Sequence, residues 1–172
     1  LNIRIIGLSN SRTMYFDEEG IDLDSWKDKL AKGDKASLEE FYETIKTLNL
    51  RNSIFIDITA SHNVSKVYGN YLKSNISVVT CNKIACASEY ENYQSLKRVS
   101  QKYNAPFLFE TNVGAGLPVI TTLNDLINSG DQILKIEGVL SGSLSFIFNN
   151  LGIVVSYFLD KLVRLSFFCI LY

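Results

Sequence analysis

The run Phe109-Glu110-Thr111-Asn112-Val113-Gly114-Ala115-Gly116-Leu117-Pro118 brings a carboxylate and two glycines, with one alanine between them, into ten residues. It follows a short apolar run, Pro106 to Phe109. Val119, Ile120, Leu123, Leu126 and Ile127 come after it at helical spacing, so the stretch reads as a strand-to-helix turn. The glycines let backbone approach a ligand closely and make φ > 0 available. A helix opening here aims unsatisfied N–H groups and a positive dipole end outward. A carboxylate with backbone carbonyls on a tight turn is a donor set for a hard cation. The plainer readings are a tight turn, with Glu110 as a helix N-terminal charge.

Two further segments begin where an apolar strand ends. Thr59-Ala60-Ser61 offers two hydroxyls before a helical segment, which suits a diphosphate or a ribose, or else a plain N-cap. Val78-Val79-Thr80-Cys81-Asn82-Lys83 places a lysine just past a strand. Its ammonium is either a surface charge or a group that holds a carbonyl oxygen or phosphate. Downstream, Gly138 to Asn149 reads as strand, glycine turn and aromatic-rich helix. There Ser141, Gly142 and Ser143 could touch a small polar substrate or simply form a turn.

Composition sets the class. A chain of 172 residues, 47% apolar and 20% charged, can bury one ordinary core. A net charge of −1 gives no electrostatic reason for nucleic acid or an anionic membrane surface as partner. Three cysteines, Cys81, Cys86 and Cys169, form no CxxC pair and fit a reducing compartment such as the cytoplasm. In that setting Cys81 and Cys86 are expected as small buried residues. The single histidine, His62, reads as a surface or capping residue and supports neither a histidine-rich metal site nor a Ser-His-Asp triad.

The elements that must position these residues alternate along the chain. Ile3, Ile5, Ile6 and Leu8 imply an opening strand, and residues 17–23 an acidic loop. Asp24 is a candidate cap for a short helix carrying Trp26, Lys29 and Leu30 that ends near Gly33. Ser37 to Leu48 forms a helix opened by a capping box, Ser37-Leu38-Glu39-Glu40. Ser53 to Ile58 reads as a strand buried on both faces. A helix is expected over His62 to Lys73, burying Val64, Val67, Tyr68 and Tyr71. A strand over Ile76 to Thr80, a helix over Glu89 to Tyr103 and a strand over Pro106 to Phe109 follow. Strands separated by helical segments of this length indicate βαβ units in a parallel sheet with helices on its faces. Ligands bind beyond the carboxyl ends of such strands. Thr59, Lys83 and Glu110 are thus expected along one edge.

In order and spacing, the runs around Thr80–Lys83, Glu110–Leu117 and Gly138–Asn149 resemble homoserine dehydrogenase. The likeness is greatest to the dehydrogenase part of the bifunctional aspartokinase–homoserine dehydrogenases, and it runs from about Ile3 to Asn150. The resemblance implies an α/β fold: a Rossmann-like parallel sheet lacking its first βα unit, with the start of an α+β substrate domain. It implies NADP- or NAD-dependent reduction of aspartate semialdehyde to homoserine, in threonine and methionine biosynthesis. Lys83 is then the active-site lysine, near both nicotinamide and substrate. Thr59, Ala60, Cys81 and Lys83 lie against the cofactor, and Ser9 and Arg12 face its adenosine ribose. Arg12 hints at a 2′-phosphate. A monovalent cation such as sodium is implied at Glu110 with the carbonyls of Val113, Ala115 and Leu117. The full-length enzyme would be a homo-oligomer, with no nucleic acid or membrane partner.

The domains implied are 1–110, a partial nucleotide-binding domain; 111–150, the start of a substrate and dimerisation domain; and 151–172, a divergent apolar tail. Leu1 stands where a Met would be expected, which reads as a fragment or a trimmed start. No Gly-x-Gly-x-x-Gly precedes the first strand, so Ile3 to Arg12 reads as the second strand of such a fold and its turn. From Leu151 to Tyr172 the chain is apolar where the family carries its catalytic aspartate and lysine. That tail is long enough to span a membrane, but Asp160, Lys161 and Arg164 would together cost roughly 8 kcal/mol at a bilayer centre. It reads as unrelated to the family. Alone, the chain is expected to be inactive. The competing reading is a noncatalytic α/β remnant or interaction domain, and a third is a dehydrogenase of a related semialdehyde or amino acid.

Overall fold

A computed structural model describes residues 3–139 and 141–150, and they fall into two compact units, one ending at Arg51 and one beginning at Asn52. The expectations for residues 151–172, including Cys169 and the charged Asp160, Lys161 and Arg164, lie outside the described residues.

The first unit is a small antiparallel sheet with two helices: β1 (Gly7–Ser9), β2 (Thr13–Phe16), α1 (Trp26–Ala31), β3 (Asp34–Lys35) and α2 (Leu38–Leu48). Within Ile3 to Arg12 the strand is confined to Gly7–Ser9 and its turn follows at Asn10, but it is not a strand of the parallel sheet: it pairs antiparallel with β2, Gly7 opposite Phe16 and Ser9 opposite Met14. Asn10 causes the reversal, because its Oδ1 accepts from the backbone N–H of Arg12 (2.7 Å) and of Thr13 (2.9 Å). Gly7 is required by its neighbours. A Cβ there would stand 2.6 Å from the Phe16 ring, which packs on Phe41 of α2 with centroids 4.7 Å apart. The capping box forms as expected, Ser37 accepting from Glu40 N–H, and Asn49 closes α2 in the left-handed conformation. Asp24 does not cap α1. Its own N–H and the Ser25 hydroxyl are both taken by Asp22, and Ser25 occupies the N-cap position.

The second unit carries the parallel sheet. β4 (Ile54–Asp57), α3 (His62–Lys66), α4 (Tyr68–Lys73), β5 (Ser77–Thr80), α5 (Ile84–Ala87), α6 (Tyr90–Tyr103) and β6 (Phe107–Leu108) follow in order. A 3-10 helix (Glu110–Asn112), α7 (Val119–Asn128) and α8 (Gly142–Asn150) complete it. The strands lie in the order β4-β5-β6, all parallel, with Phe55 opposite Val78 and Val78 opposite Phe107. On the face those residues share, Tyr68, Tyr71 and Leu72 of α4 and Leu96 of α6 are buried, and Phe55 stacks on Tyr71 at 4.0 Å.

One expectation fails here for a packing reason. β4 is not buried on both faces, because the described helices α4 and α6 pack on one side of the sheet. Period-2 geometry then turns Ile54 (59% exposed) and Ile56 (63%) to the other side, while Phe55 and Asp57 face in. The helix expected over 62–73 is also broken, at Val67, into α3 and α4. No strand forms over the described part of the run after Gly138, and α8 follows directly.

Candidate functional site

Parallel strands put the segments after β4, β5 and β6 at one edge of the sheet, their carboxyl edge. There the structure brings Thr59, Ala60, Cys81, Lys83 and Glu110 together. Ser9 and Arg12 belong to the first unit, where both are exposed at the β1–β2 turn.

The turn after β4 is built from its own side chains. Asp57 Oδ1 accepts from Thr59 N–H (2.7 Å), Thr59 Oγ1 accepts from Ser61 N–H (3.1 Å), and Ser61 Oγ accepts from Val64 N–H (3.5 Å). Ser61 is thus the N-cap of α3, so its hydroxyl already has a structural duty. Thr59 and Ala60 are exposed. His62, the first residue of α3, is a surface residue as expected.

The turn after β5 leans on the first one. Cys81 N–H donates to the Asp57 carbonyl (3.1 Å), and Thr80 Oγ1 accepts from Asn82 N–H (2.9 Å). Cys81 is exposed rather than buried, because the strand ends at Thr80 and the next side chain leaves the sheet at its edge. Lys83 is exposed, and among the described residues its ammonium has neither a hydrogen-bond nor an ion-pair partner. Cys86 is half-buried in α5, and burial pushes its thiol up to about 11, partly offset by the Asn112 amide. Such a thiol stays protonated and is a poor nucleophile near neutral pH.

The turn after β6 is held from α7. Glu110 Oε1 accepts from Ile120 N–H (2.9 Å), and Oε2 accepts from Thr121 N–H (2.8 Å) and Thr121 Oγ1–H (2.5 Å). The Thr121 hydroxyl, then the N–H groups of α7's first turn, hold the carboxyl below the usual glutamate range against a smaller opposing effect of burial. Gly114 (φ 72°) and Ala115 (φ 51°) both sit in the left-handed region, and a Cβ on Gly114 would lie 3.0 Å from Val119 Cγ2. The Leu117 carbonyl accepts from Val119 N–H (2.9 Å), whereas those of Val113 and Ala115 accept no backbone bond among the described residues. Ser141 Oγ accepts from Leu144 N–H (3.2 Å) and so opens α8 as a structural cap.

Beneath these turns lies a buried polar network that the reading of motifs missed. The Tyr68 hydroxyl donates to Asp57 Oδ2 (2.5 Å) and lies 2.8 Å from Thr80 Oγ1. Burial, then the Asp57 carboxylate, raises the Tyr68 phenol well above its usual value. Asn82 Nδ2 donates to the same Asp57 oxygen and to the Ser61 carbonyl, both at 3.0 Å. The available signal was an aspartate closing an otherwise apolar strand, Ile54-Phe55-Ile56-Asp57. Such a group is buried only when hydrogen-bonded.

Comparison with known proteins places this edge in a family. Residues 2–110 match the NAD-binding domain of homoserine dehydrogenase, and residues 118–162 match homoserine dehydrogenase, running on past Asn150. The chain belongs to the homoserine dehydrogenase family. It is similar to the bifunctional aspartokinase/homoserine dehydrogenase of Buchnera aphidicola, 39% identical over 170 residues, which cover 97% of this chain and 21% of that protein. Among solved structures it is similar to a Candida auris protein of unknown function (32% identity, TM-score 0.78, covering 87% of this chain and 42% of that one). A hyperthermophilic archaeal homoserine dehydrogenase in complex with NADPH is also similar (26% identity, TM-score 0.54, covering 69% of this chain and 37% of that one). The chain thus spans about a fifth of the length of its bifunctional relative. The likeness to homoserine dehydrogenases agrees with the Rossmann-type α/β fold expected from the strand-helix alternation. Among the described residues no helix is long and apolar enough to cross a membrane.

Proposed function

We propose that this chain is part of an NADP-dependent homoserine dehydrogenase, reducing aspartate semialdehyde to homoserine in threonine and methionine biosynthesis. The observation that carries the reading is the convergence of Thr59, Ala60, Cys81, Lys83 and Glu110 on one carboxyl edge of a parallel sheet in a chain of this family. Thr59 Oγ1–H and the Ala60 N–H are exposed there and donate to no described partner, so they fit the oxygens of a dinucleotide. Cys81 lines the same edge. A nicotinamide cofactor bound here would supply the hydride for the aldehyde carbon, and a proton from solvent would complete the alcohol. The Lys83 ammonium donates a hydrogen bond to the carbonyl oxygen and stabilises the negative charge that develops on it. Ser9 and Arg12 are assigned separately to the adenosine ribose, the Arg12 guanidinium pairing with a 2′-phosphate and favouring NADP over NAD.

The donor set for a monovalent cation also fits the turn after β6. Three hydrogen bonds leave the Glu110 carboxylate about one lone-pair site, and the Val113 and Ala115 carbonyls are open. Leu117 would have to share its carbonyl with Val119 N–H. One carboxylate among carbonyls suits a hard ion of low charge. We keep residues 1–110 as the nucleotide-binding part and 111–150 as the start of a substrate and oligomer-forming part. The exposed Cys81 thiol fits a reducing compartment such as the cytoplasm.

The test is NADPH oxidation by the full-length protein with aspartate semialdehyde. Turnover on the enzyme scale of roughly 1–1,000 s⁻¹, lost by a factor of about 100 or more in Lys83→Ala, is the expected result. Absence of turnover by the folded full-length protein would instead favour a noncatalytic remnant. A polypeptide of these 172 residues alone, which lacks a Gly-x-Gly-x-x-Gly run, is expected to oxidise NADPH negligibly.

A further inference from the structure

Asn82 is 2% exposed and ties all three turns of the edge together. Its Nδ2 donates to Asp57 Oδ2 and to the Ser61 carbonyl, both on the turn after β4. Its Oδ1 accepts from Ile84 N–H (3.1 Å), which opens α5, and its own N–H donates to Thr80 Oγ1 (2.9 Å) at the end of β5. Its carbonyl accepts from Asn112 Nδ2 (3.4 Å), on the turn after β6. Two acceptors facing Nδ2 and one donor facing Oδ1 fix the orientation of the carboxamide. No other side chain of this size supplies both functions. An aspartate would set a second carboxylate against Asp57, and an apolar residue would leave Asp57 and Ser61 short of buried donors.

We infer that Asn82 is the positioning residue for Lys83, an inference that rests on the functional reading of Lys83 above. The bonds of Asn82 clamp the chain on both sides of the Lys83 Cα, through Thr80 and Asn112 before it and through Ile84 after it. The clamped backbone, with Lys83 at φ −71° and ψ −17°, launches the long, exposed side chain from a fixed point on the edge. Asp57 is itself held at the same oxygen by Tyr68 and at its other oxygen by Thr59 N–H, so the anchor does not swing. A lysine has many rotamers, and fixing its root is how a fold restricts where the ammonium reaches. The same bonds tie this root to the turn that carries Thr59 and, through Asn112 alone, to the start of the turn after β6.

The test is a double-mutant cycle in the full-length protein, with Asn82→Ser, Lys83→Ala and the pair, read as kcat/KM for aspartate semialdehyde and as cofactor Kd. Asn82→Ser is expected to lower kcat/KM about 30-fold with Lys83 present, but by less than about 3-fold in the Lys83→Ala background, with kcat falling more than cofactor affinity. Equal losses in both backgrounds, or no loss in either, would overturn the inference and leave the functional reading standing. If Lys83→Ala itself costs nothing, the functional reading fails and this inference with it. Should Asn82→Ser not fold by circular dichroism, Asn112→Ala takes its place in the cycle. It removes the bond to the Asn82 carbonyl along with the Asn112 contact to the Cys86 thiol, and a loss of about 5-fold that vanishes without Lys83 is the supporting result. A loss from Asn112→Ala that persists without Lys83 overturns the inference.

Discussion

The turns after β4 and β5 and the turn after β6 sit on the same sheet edge but are held by opposite means. Under the first pair, Asp57, Tyr68, Thr80 and Asn82 are all buried and bond to one another side chain to side chain. The third hangs on the Glu110 carboxylate, which grips the first turn of α7 from a position open to water. Buried hydrogen bonds act in a low local dielectric, and removing one partner strands the others without solvent. An exposed cap can be replaced by water, at a cost that salt and acid modulate. The contrast assigns rigidity to the Lys83 side of the edge and adjustability to the glycine turn.

The largest effect that would break this contrast comes from Asp57→Ala. It leaves the Tyr68 hydroxyl, one Asn82 N–H and the Thr59 N–H without their acceptor. Denaturant unfolding should show a loss of about 3 kcal/mol or more, and a loss under about 1 kcal/mol would mean the network is not what fixes the turns. Tyr68→Phe removes a hydroxyl but keeps the ring packed near Phe55 and Phe107. A loss of about 1–2 kcal/mol is expected in the same measurement.

Glu110→Gln sharpens the other side of the comparison through pH. The folded-state carboxyl lies below its ordinary value of 4.5, so its contribution is present above that value and fades as pH falls through the lowered one. Melting temperature followed from about pH 6 to pH 3 should therefore fall less steeply in Glu110→Gln than in the parent. Parallel curves for the two would show that the α7 cap is not coupled to the charge. The smallest effect is expected from Ala115→Gly. Its φ of 51° costs an alanine about 1 kcal/mol, and the gain on relief is largely offset by the greater unfolded-state freedom of glycine. A stabilisation of no more than about 0.5 kcal/mol should appear in thermal unfolding, while a clear destabilisation would mean the methyl group packs.

Much of the secondary structure in both units is legible along the chain. Ser37 announces α2, apolar runs mark β4, β5 and β6, and spaced aromatics mark α4. Lys83 and Glu110 could be placed at strand ends by counting alone. The hairpin at Asn10 was hidden, because a continuous apolar opening reads the same whether the chain runs on or doubles back. Asp57, Tyr68 and Asn82 were each passed over for a different reason. One looked like the last residue of a strand, one like core, and one like the neighbour of a lysine.

The residues themselves determined periodicity, caps and the alternation of strand with helix, since each depends on side chains within a few positions of one another. Tertiary structure alone decided which face of β4 is covered, that residues 7–16 fold back as a hairpin, and that Asp57 meets Tyr68 eleven positions on and Asn82 twenty-five positions on. Those pairings follow from strand register and from where the helices pack. A slip of one residue in β4 would turn Asp57 to the face that Ile54 and Ile56 occupy, away from Tyr68 and Asn82.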